Sequence, residues 1–205
     1  HGELWQRLGR LYLDTGQMER ATDAFGKAAG LKQLDDQGVI WLADALFNAG
    51  RAEEARLLLE KIDTTNLFIL SQAAALLRQH HFLDSCSDVI EKALLIEPEN
   101  ENFNFQLGIL KMASQPDESL GYLRMVKVDQ PLAVKSRYLA DVIFAYQAED
   151  QRDRWYTLAG QALSQVGEWD AAVESFRLAT EVNPIDASAW ALLAEAQQQI
   201  GEDGT

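Results

Sequence analysis

Three groups of residues in this sequence have side chains that could do chemistry: a histidine pair, a lone cysteine and an acidic run. His80 and His81 are possible metal ligands, Cys86 is a possible nucleophile, and the segment EPENE at 97–101 carries carboxylates that calcium could use. Adjacent side chains on a helix diverge by about 100°, so the two histidines are poorly placed to chelate one ion. The acidic run lacks the ligand order of a calcium loop. We therefore expect no metal site.

Signatures of enzymes are also missing. The sequence has no glycine-rich phosphate loop, no nucleophile elbow and no cysteine and histidine pattern with zinc spacing. We interpret Cys86 as a buried structural thiol, the histidines as polar residues of a turn between helices, and 97–101 as a solvated turn. The sequence predicts a protein that is not an enzyme, with no catalytic residue and no cofactor.

Charge and hydropathy exclude two classes of partner. The formal net charge of −14 opposes binding to a phosphate backbone, so we expect no nucleic-acid partner, and it equally opposes docking on an anionic membrane. The longest apolar run, LFILSQAAALL at 67–77, is too short to cross a bilayer. We expect a soluble protein without membrane insertion. A single cysteine and the lack of a targeting segment leave cytoplasm and periplasm both open.

The chain consists of helix-forming stretches that repeat. Ala, Leu, Gln and Glu dominate between sparse Gly and Pro residues, and alternating β-branched runs are nearly absent, which favours an all-α fold. Displacing the sequence by 151 positions superimposes five identical pairs, and these are Gly9 and Gly160, Gly16 and Gly167, Ala21 and Ala172, Phe25 and Phe176, Ala28 and Ala179. Weaker copies lie between them. Five identities at one offset indicate an internal repeat.

The sizes of the repeated residues suggest how the helices pack. A small residue in the first helix of each copy and an Ala at the start of the second let two helices approach closely, while a large side chain fills the space between them. Gly9 and Phe25 are one such pair. Gly16, Gly50 and Gly167 fall between helices, where a left-handed residue ends a helix cheaply. Pro98 and Pro184 end second helices.

These residues resemble the tetratricopeptide repeat family, whose unit is a pair of helices with a period of about 34 residues. The first copy matches the family pattern at Trp5, Leu8, Gly9, Tyr12, Ala21, Phe25 and Ala28. The resemblance implies an all-α, right-handed superhelical solenoid of antiparallel helix pairs over residues 1–205. The predicted units are 2–35, 36–66, 67–100, 101–132, a lone helix at 133–152, 153–186 and a partial or capping helix at 187–205. We expect the chain to be a fragment of a longer array.

The resemblance also implies a binding groove, because first helices line the concave side of such solenoids. The family's groove positions in the first unit fall on Gln6, Arg10 and Asp14. Those of the later units fall on Trp41, Asp44, Asn48, Ser71, Gln72, Ala75, Arg78, Phe105, Ile109, Met112, Tyr138 and Asp141. Trp41, Phe105, Ile109, Met112 and Tyr138 would form an apolar strip. A shift of one residue in unit 101–132 would instead make Phe105, Ile109 and Met112 core residues.

The function that the resemblance implies is a scaffold or adaptor that binds a partner protein or peptide in the groove. Groove positions with few cations argue against the acidic tails that some cochaperones of this family bind, so we expect a neutral or basic partner segment with apolar anchors. Two alternatives stay open. The chain could form homo-oligomers through its ends, or it could be the docking arm of a larger enzyme or secretion component.

Overall fold

A computed structural model describes residues 1–127, 130–146 and 152–203, and these residues form helices and no strand. The helices of the first half are α1 (Gly2–Asp14), α2 (Met18–Gly30), α3 (Asp36–Asn48), α4 (Ala52–Glu60), α5 (Leu67–Gln79) and α6 (Leu83–Ile96). Those of the second half are α7 (Glu101–Lys111), α8 (Pro116–Leu123), α9 (Gln130–Tyr146), α10 (Arg152–Gln165), α11 (Trp169–Val182) and α12 (Ala187–Asp203). The predicted all-α class is confirmed.

The helices fall into two units. Unit 1 (His1–Ile96) contains the pairs α1 and α2, α3 and α4, α5 and α6. Unit 2 (Glu97–Thr205) contains the pair α7 and α8, the single helix α9, the pair α10 and α11, and α12 packed on α11. The single helix α9 lies where the sequence predicted a lone helix at 133–152, although residues 147–151 of that segment lie outside the described residues. The prediction of one continuous solenoid over 1–205 stays a prediction.

Side-chain size decides how closely the paired helices approach. A Cβ added to Gly9 would lie 2.8 Å from the ring of Phe25, and one added to Gly160 would lie 2.5 Å from the ring of Phe176. Both rings are fully buried. The second pair has Ala43 and the smaller Leu59 at the corresponding repeat positions, and both are fully buried. In these three pairs a smaller residue on one helix accompanies a larger one on the other, as close packing requires, whereas in the fourth pair Gly108 faces Leu123.

Four of the turns inside the pairs use a left-handed residue, and in three of them it is the predicted glycine. Gly16, Gly50 and Gly167 have φ values of 73°, 76° and 82°. In the third pair His81 takes the same conformation, with φ of 62°, at the place where these three pairs have glycine, whereas the turn at 112–115 between α7 and α8 has no residue of positive φ. A side chain is strained in this region, and His is one of the residues that tolerates it best. His81 is therefore explained by the turn, which agrees with its interpretation as a turn residue.

The pair α7 and α8 departs from the repeat by one residue. In α6 the buried Cys86 donates from Sγ to the carbonyl oxygen of Ala74, twelve residues earlier, at 3.3 Å. In α8 the buried Ser119 makes the same bond to the oxygen of Gly108, only eleven residues earlier, at 2.7 Å. Helix α8 begins at Pro116, eight residues after Gly108, whereas α6 begins at Leu83, nine residues after Ala74. Cys86 is confirmed as a buried small residue in a helix crossing.

Candidate functional site

The first helices of unit 1 form one surface, which we call the first-helix face. Helix α3 packs against both α1 and α5, so α1, α3 and α5 lie side by side. The predicted groove residues Trp41, Asp44 and Asn48 lie on the middle helix. Trp41 and Asp44 are half-buried and Asn48 is exposed. Asn48 donates from Nδ2 to Asp44 Oδ1 at 2.8 Å, which holds the two side chains together.

Trp41 is packed into a small cluster between α1 and α3. Its ring centroid lies 6.4 Å from that of Phe25, and the Arg10 guanidinium lies 4.9 Å above the indole. Arg10 also pairs with Asp14, with Nη2 2.9 Å from Oδ1. The stacked cation and the ion pair together cover part of the ring. Residues of the same chain therefore occupy the apolar space beside Trp41.

Two glutamines assigned to the groove have different surroundings. Gln6 is buried, donates to Asp35 Oδ1 at 2.7 Å and accepts from the Asp35 backbone N–H at 3.3 Å. Asp35 is the N-cap of α3, where its side chain also accepts from the Gly38 N–H. The hydrogen bonds of Gln6 therefore stabilise this cap, and Gln6 is not available to a partner. Gln72 is half-buried, and its Oε1 is buried without a hydrogen-bond partner in the described structure. Arg78, on the same helix, is half-buried.

His80 closes α5 beside this face. Its ring stacks on Phe47, with centroids 3.8 Å apart and planes within 5°. Burial lowers the pKa of His80 below its ordinary value of 6.5, and His81 adds to that effect while Asp44 opposes it. The folded state therefore favours the neutral ring more strongly than the unfolded chain does.

The lowered pKa of His80 predicts a pH-dependent stability. As the pH falls below 6.5, the unfolded chain takes up the proton before the folded chain does, so the free energy of unfolding decreases until the folded-state pKa is passed. Denaturation curves from about pH 8 to about pH 5 should show this decrease, with the wild-type slope reduced in His80→Asn. His81→Asn is the control, because Asn tolerates the left-handed turn and His80 is retained. Equal slopes in both variants would contradict the assignment.

The structure corrects the apolar strip in unit 2. Phe105, Ile109 and Met112 are buried in one cluster that includes Leu139 of α9 and Trp155 of α10. Trp155 further donates from Nε1 to the carbonyl oxygen of Ala113, just after α7, at 2.9 Å. The groove positions of α7 are covered because α9 and α10 contribute to the same core. The shift of one residue in α8 and this shared core both support the alternative that Phe105, Ile109 and Met112 are core residues.

The predicted residues Tyr138 and Asp141 of α9 lie at the surface. Asp141 is exposed, whereas Tyr138 is half-buried and donates its hydroxyl to Gln165 Oε1 of α10. Gln165 is one wall of a cleft between α10 and α12, which we call the α10–α12 cleft. The cleft has a volume of about 350 Å³ and is lined by Gln161, Ser164, Gln165, Trp169, Leu192 and Glu195. Phe176 and Ala196, both buried, form its floor.

The sequence analysis missed this cleft, although the necessary signal was present. The offset of 151 that relates Gly9 to Gly160 also relates Arg10 to Gln161 and Asp14 to Gln165. Arg10 and Asp14 are groove positions of the first repeat, so their counterparts Gln161 and Gln165 are groove positions of repeat 153–186. Applying the repeat a second time would have identified Gln161 and Gln165 as groove residues.

The residues first considered for chemistry have structural roles in this fold. Asn100, within the acidic run, accepts from the Phe103 N–H at 3.1 Å and so caps α7. Over residues 1–127, 130–146 and 152–203, no group of three or more His, Cys, Asp or Glu side chains is arranged to hold a metal ion. No helix in that part of the chain is long and apolar enough to cross a membrane.

Stacked antiparallel helix pairs, with small residues at each crossing and left-handed turns between the helices, define a helical repeat protein. The family model for the tetratricopeptide repeat matches residues 7–65 and 157–202, together more than half of the chain. The chain therefore belongs to the tetratricopeptide repeat family. A search of curated protein sequences found no match.

Several solved structures resemble this chain at low sequence identity. A tetratricopeptide repeat protein from Parabacteroides merdae is 15% identical, with a TM-score of 0.50 over 96% of this chain and 98% of that one. MamA is 17% identical, with a TM-score of 0.49 over 91% and 94%. YrrB, a repeat protein with an unusual peptide-binding site, is 15% identical, with a TM-score of 0.46 over 95% and 90%. At these identities the likeness concerns the fold alone.

Proposed function

We propose that this protein is a non-enzymatic scaffold that binds a segment of a partner protein along its first helices. The observation that carries the proposal is the pair of equivalent surfaces on these helices. One is the first-helix face of unit 1 around Trp41, and the other is the α10–α12 cleft of unit 2. Both combine an aromatic or aliphatic floor with amide and carboxylate groups, which suits a peptide that offers apolar side chains and backbone donors and acceptors.

The partner segment that suits these surfaces is neutral or basic. The protein carries a net charge of −14, and Asp44 and Glu195 lie on the proposed surfaces. An acidic segment would be repelled, whereas a basic one would be attracted during encounter. Affinity should therefore fall as salt concentration rises.

Site-specific photo-crosslinking in the source organism tests the proposal. A benzophenone amino acid replaces the exposed Asn48 or Gln161 on the proposed surfaces, and replaces the exposed Asp23 or Glu181 on second helices as matched controls. We expect the same partner protein to be crosslinked from Asn48 and Gln161, at least about tenfold more strongly than from the control positions. Equal crosslinking from all four positions, or from the controls alone, would refute binding along the first helices.

Self-association is a second candidate, favoured by exposed apolar residues on α1. Leu4 and Leu11 are 65% and 58% exposed and, seven residues apart, lie on one face of the helix. Covering such a face by another copy would bury apolar area. Light scattering over a wide concentration range tests this candidate. If it is right, the mass increases with concentration and Leu4→Glu with Leu11→Glu restores the monomer, whereas a constant monomer mass excludes it.

A further inference from the structure

The two halves of the internal repeat place different residues at the same site. Every residue that lines the α10–α12 cleft has a counterpart 151 positions earlier, on α1, α2 and α3. Leu192 of the cleft corresponds to Trp41, Gln161 to Arg10, and Ser164 to Leu13. Unit 1 therefore shows which side chains occupy this site when the protein fills it with its own residues.

In unit 1 the chain supplies both an aromatic ring and a cation. The indole of Trp41 packs beside Phe25, and the guanidinium of Arg10 lies 4.9 Å above it. Leu13 is buried in the same cluster. The ring, the cation and the leucine fill the space between α1 and α3, and the nearby carboxylate of Asp14 is paired with Arg10.

In unit 2 the groups equivalent to Trp41, Leu13 and Arg10 are smaller and the cation is missing. Leu192 replaces the indole, Ser164 replaces the buried leucine, and the cleft of about 350 Å³ lies between α10 and α12. Gln161 is neutral, so none of the residues that line the cleft is positively charged. The carboxylate of Asp44 has its counterpart in Glu195, which is exposed and has no ion-pair partner among the described residues.

Trp169 gives the cleft an aromatic wall where unit 1 has Met18. Its indole N–H makes no hydrogen bond within the described residues, whereas that of Trp155 is bonded to Ala113 O and that of Trp190 to Pro184 O. The cleft thus offers an aromatic surface, an unused donor and an unpaired carboxylate. The aromatic surface and the carboxylate complement an aromatic side chain and an adjacent cation, and the N–H suits a carbonyl oxygen of the bound peptide.

On the basis of the proposed function, we infer that the α10–α12 cleft is the anchor subsite for the partner, and that it binds an aromatic side chain flanked by arginine. The ring occupies the space that Trp41 fills in unit 1. The guanidinium takes the place of Arg10 and pairs with Glu195, the counterpart of Asp44, because Gln165, the counterpart of Asp14, is neutral. The partner thus provides the aromatic ring and the cation that Trp41 and Arg10 provide in unit 1.

A calorimetric titration with designed peptides tests this inference. The probe is a nonapeptide of serine and alanine with tryptophan and arginine at its centre, and control peptides carry alanine for the tryptophan or glutamate for the arginine. We expect one peptide per chain and an affinity at least about tenfold lower for each control peptide. Absence of binding, or equal affinity for the three peptides, would overturn the inference.

Variants that exchange the two halves of the repeat provide the sharper test. Gln161→Arg with Leu192→Trp copies unit 1 into the cleft and should abolish binding. Arg10→Gln with Leu13→Ser, Met18→Trp and Trp41→Leu gives unit 1 the corresponding cleft residues of unit 2 and should raise the stoichiometry to two peptides per chain. Unchanged binding in the first double variant, with helicity retained, would overturn the inference.

Glu195→Gln decides the charge assignment even if a double variant fails to fold, because Glu195 is an exposed surface residue. It should remove the preference for arginine over glutamate while leaving the preference for tryptophan. A retained preference for arginine would overturn the pairing.

If the peptides fail to bind but crosslinking from Asn48 and Gln161 captures a common partner, the anchor subsite is wrong and the scaffold function stands. If the peptides bind but nothing is crosslinked, the scaffold function is wrong.

Discussion

Replacing Gly9 by alanine should destabilise the protein by about 1–3 kcal/mol, although alanine is the better helix former. The added Cβ would lie 2.8 Å from the ring of Phe25, which is fully buried and cannot move away without displacing its neighbours. Gly26→Ala is the matched control. It lies inside α2 with nothing within 4 Å of the added carbon, so it should stabilise by up to about 1 kcal/mol. Urea denaturation followed by circular dichroism measures both.

A double variant tests whether size complementarity is the cause. Phe25→Leu alone leaves a cavity and should also destabilise. Combined with Gly9→Ala it recreates the pairing of Ala43 with Leu59 found in the next repeat. The double variant should therefore be more stable than the sum of the two single effects by about 1 kcal/mol, within the 0.5–3 kcal/mol typical of contacting residues. Strict additivity would mean that Gly9 is required for another reason.

Those features of the fold that depend on local pattern could be predicted from the sequence. The left-handed turns were predictable because Gly16, Gly50 and Gly167 recur at one place in the repeat and glycine is the residue that this conformation favours. The burial of Cys86 was predictable because the position faces another helix at close range. The Ala and Phe pattern also indicated which side of each helix faces its partner.

The features that depend on irregular packing were harder to predict. Phe105, Ile109 and Met112 occupy groove positions of α7, yet they are buried because α9 and α10 share a core with them. The sequence predicted a lone helix at 133–152, but no local pattern indicates that this helix and α10 contribute to the core that covers α7. The role of Gln6 depends on Asp35, 29 residues away, and a contact of this kind is not encoded in helical periodicity. The α10–α12 cleft was predictable in part, because the offset of 151 relates the groove positions Arg10 and Asp14 to Gln161 and Gln165.

The burial of the α7 residues predicts a large effect of mutating Trp155. Its indole covers the end of α7 and donates to Ala113 O inside the core, so Trp155→Ala should cost about 3–5 kcal/mol. Trp155→Phe keeps most of the packing but leaves the buried oxygen unpaired, which should cost about 1–3 kcal/mol. Trp190→Phe is the control, because the bond from Trp190 to Pro184 O lies at an exposed site where water can replace it. Urea denaturation should rank the variants in that order. If Trp155→Phe proves as stable as Trp190→Phe, the hydrogen bond to Ala113 does not hold α10 against α7.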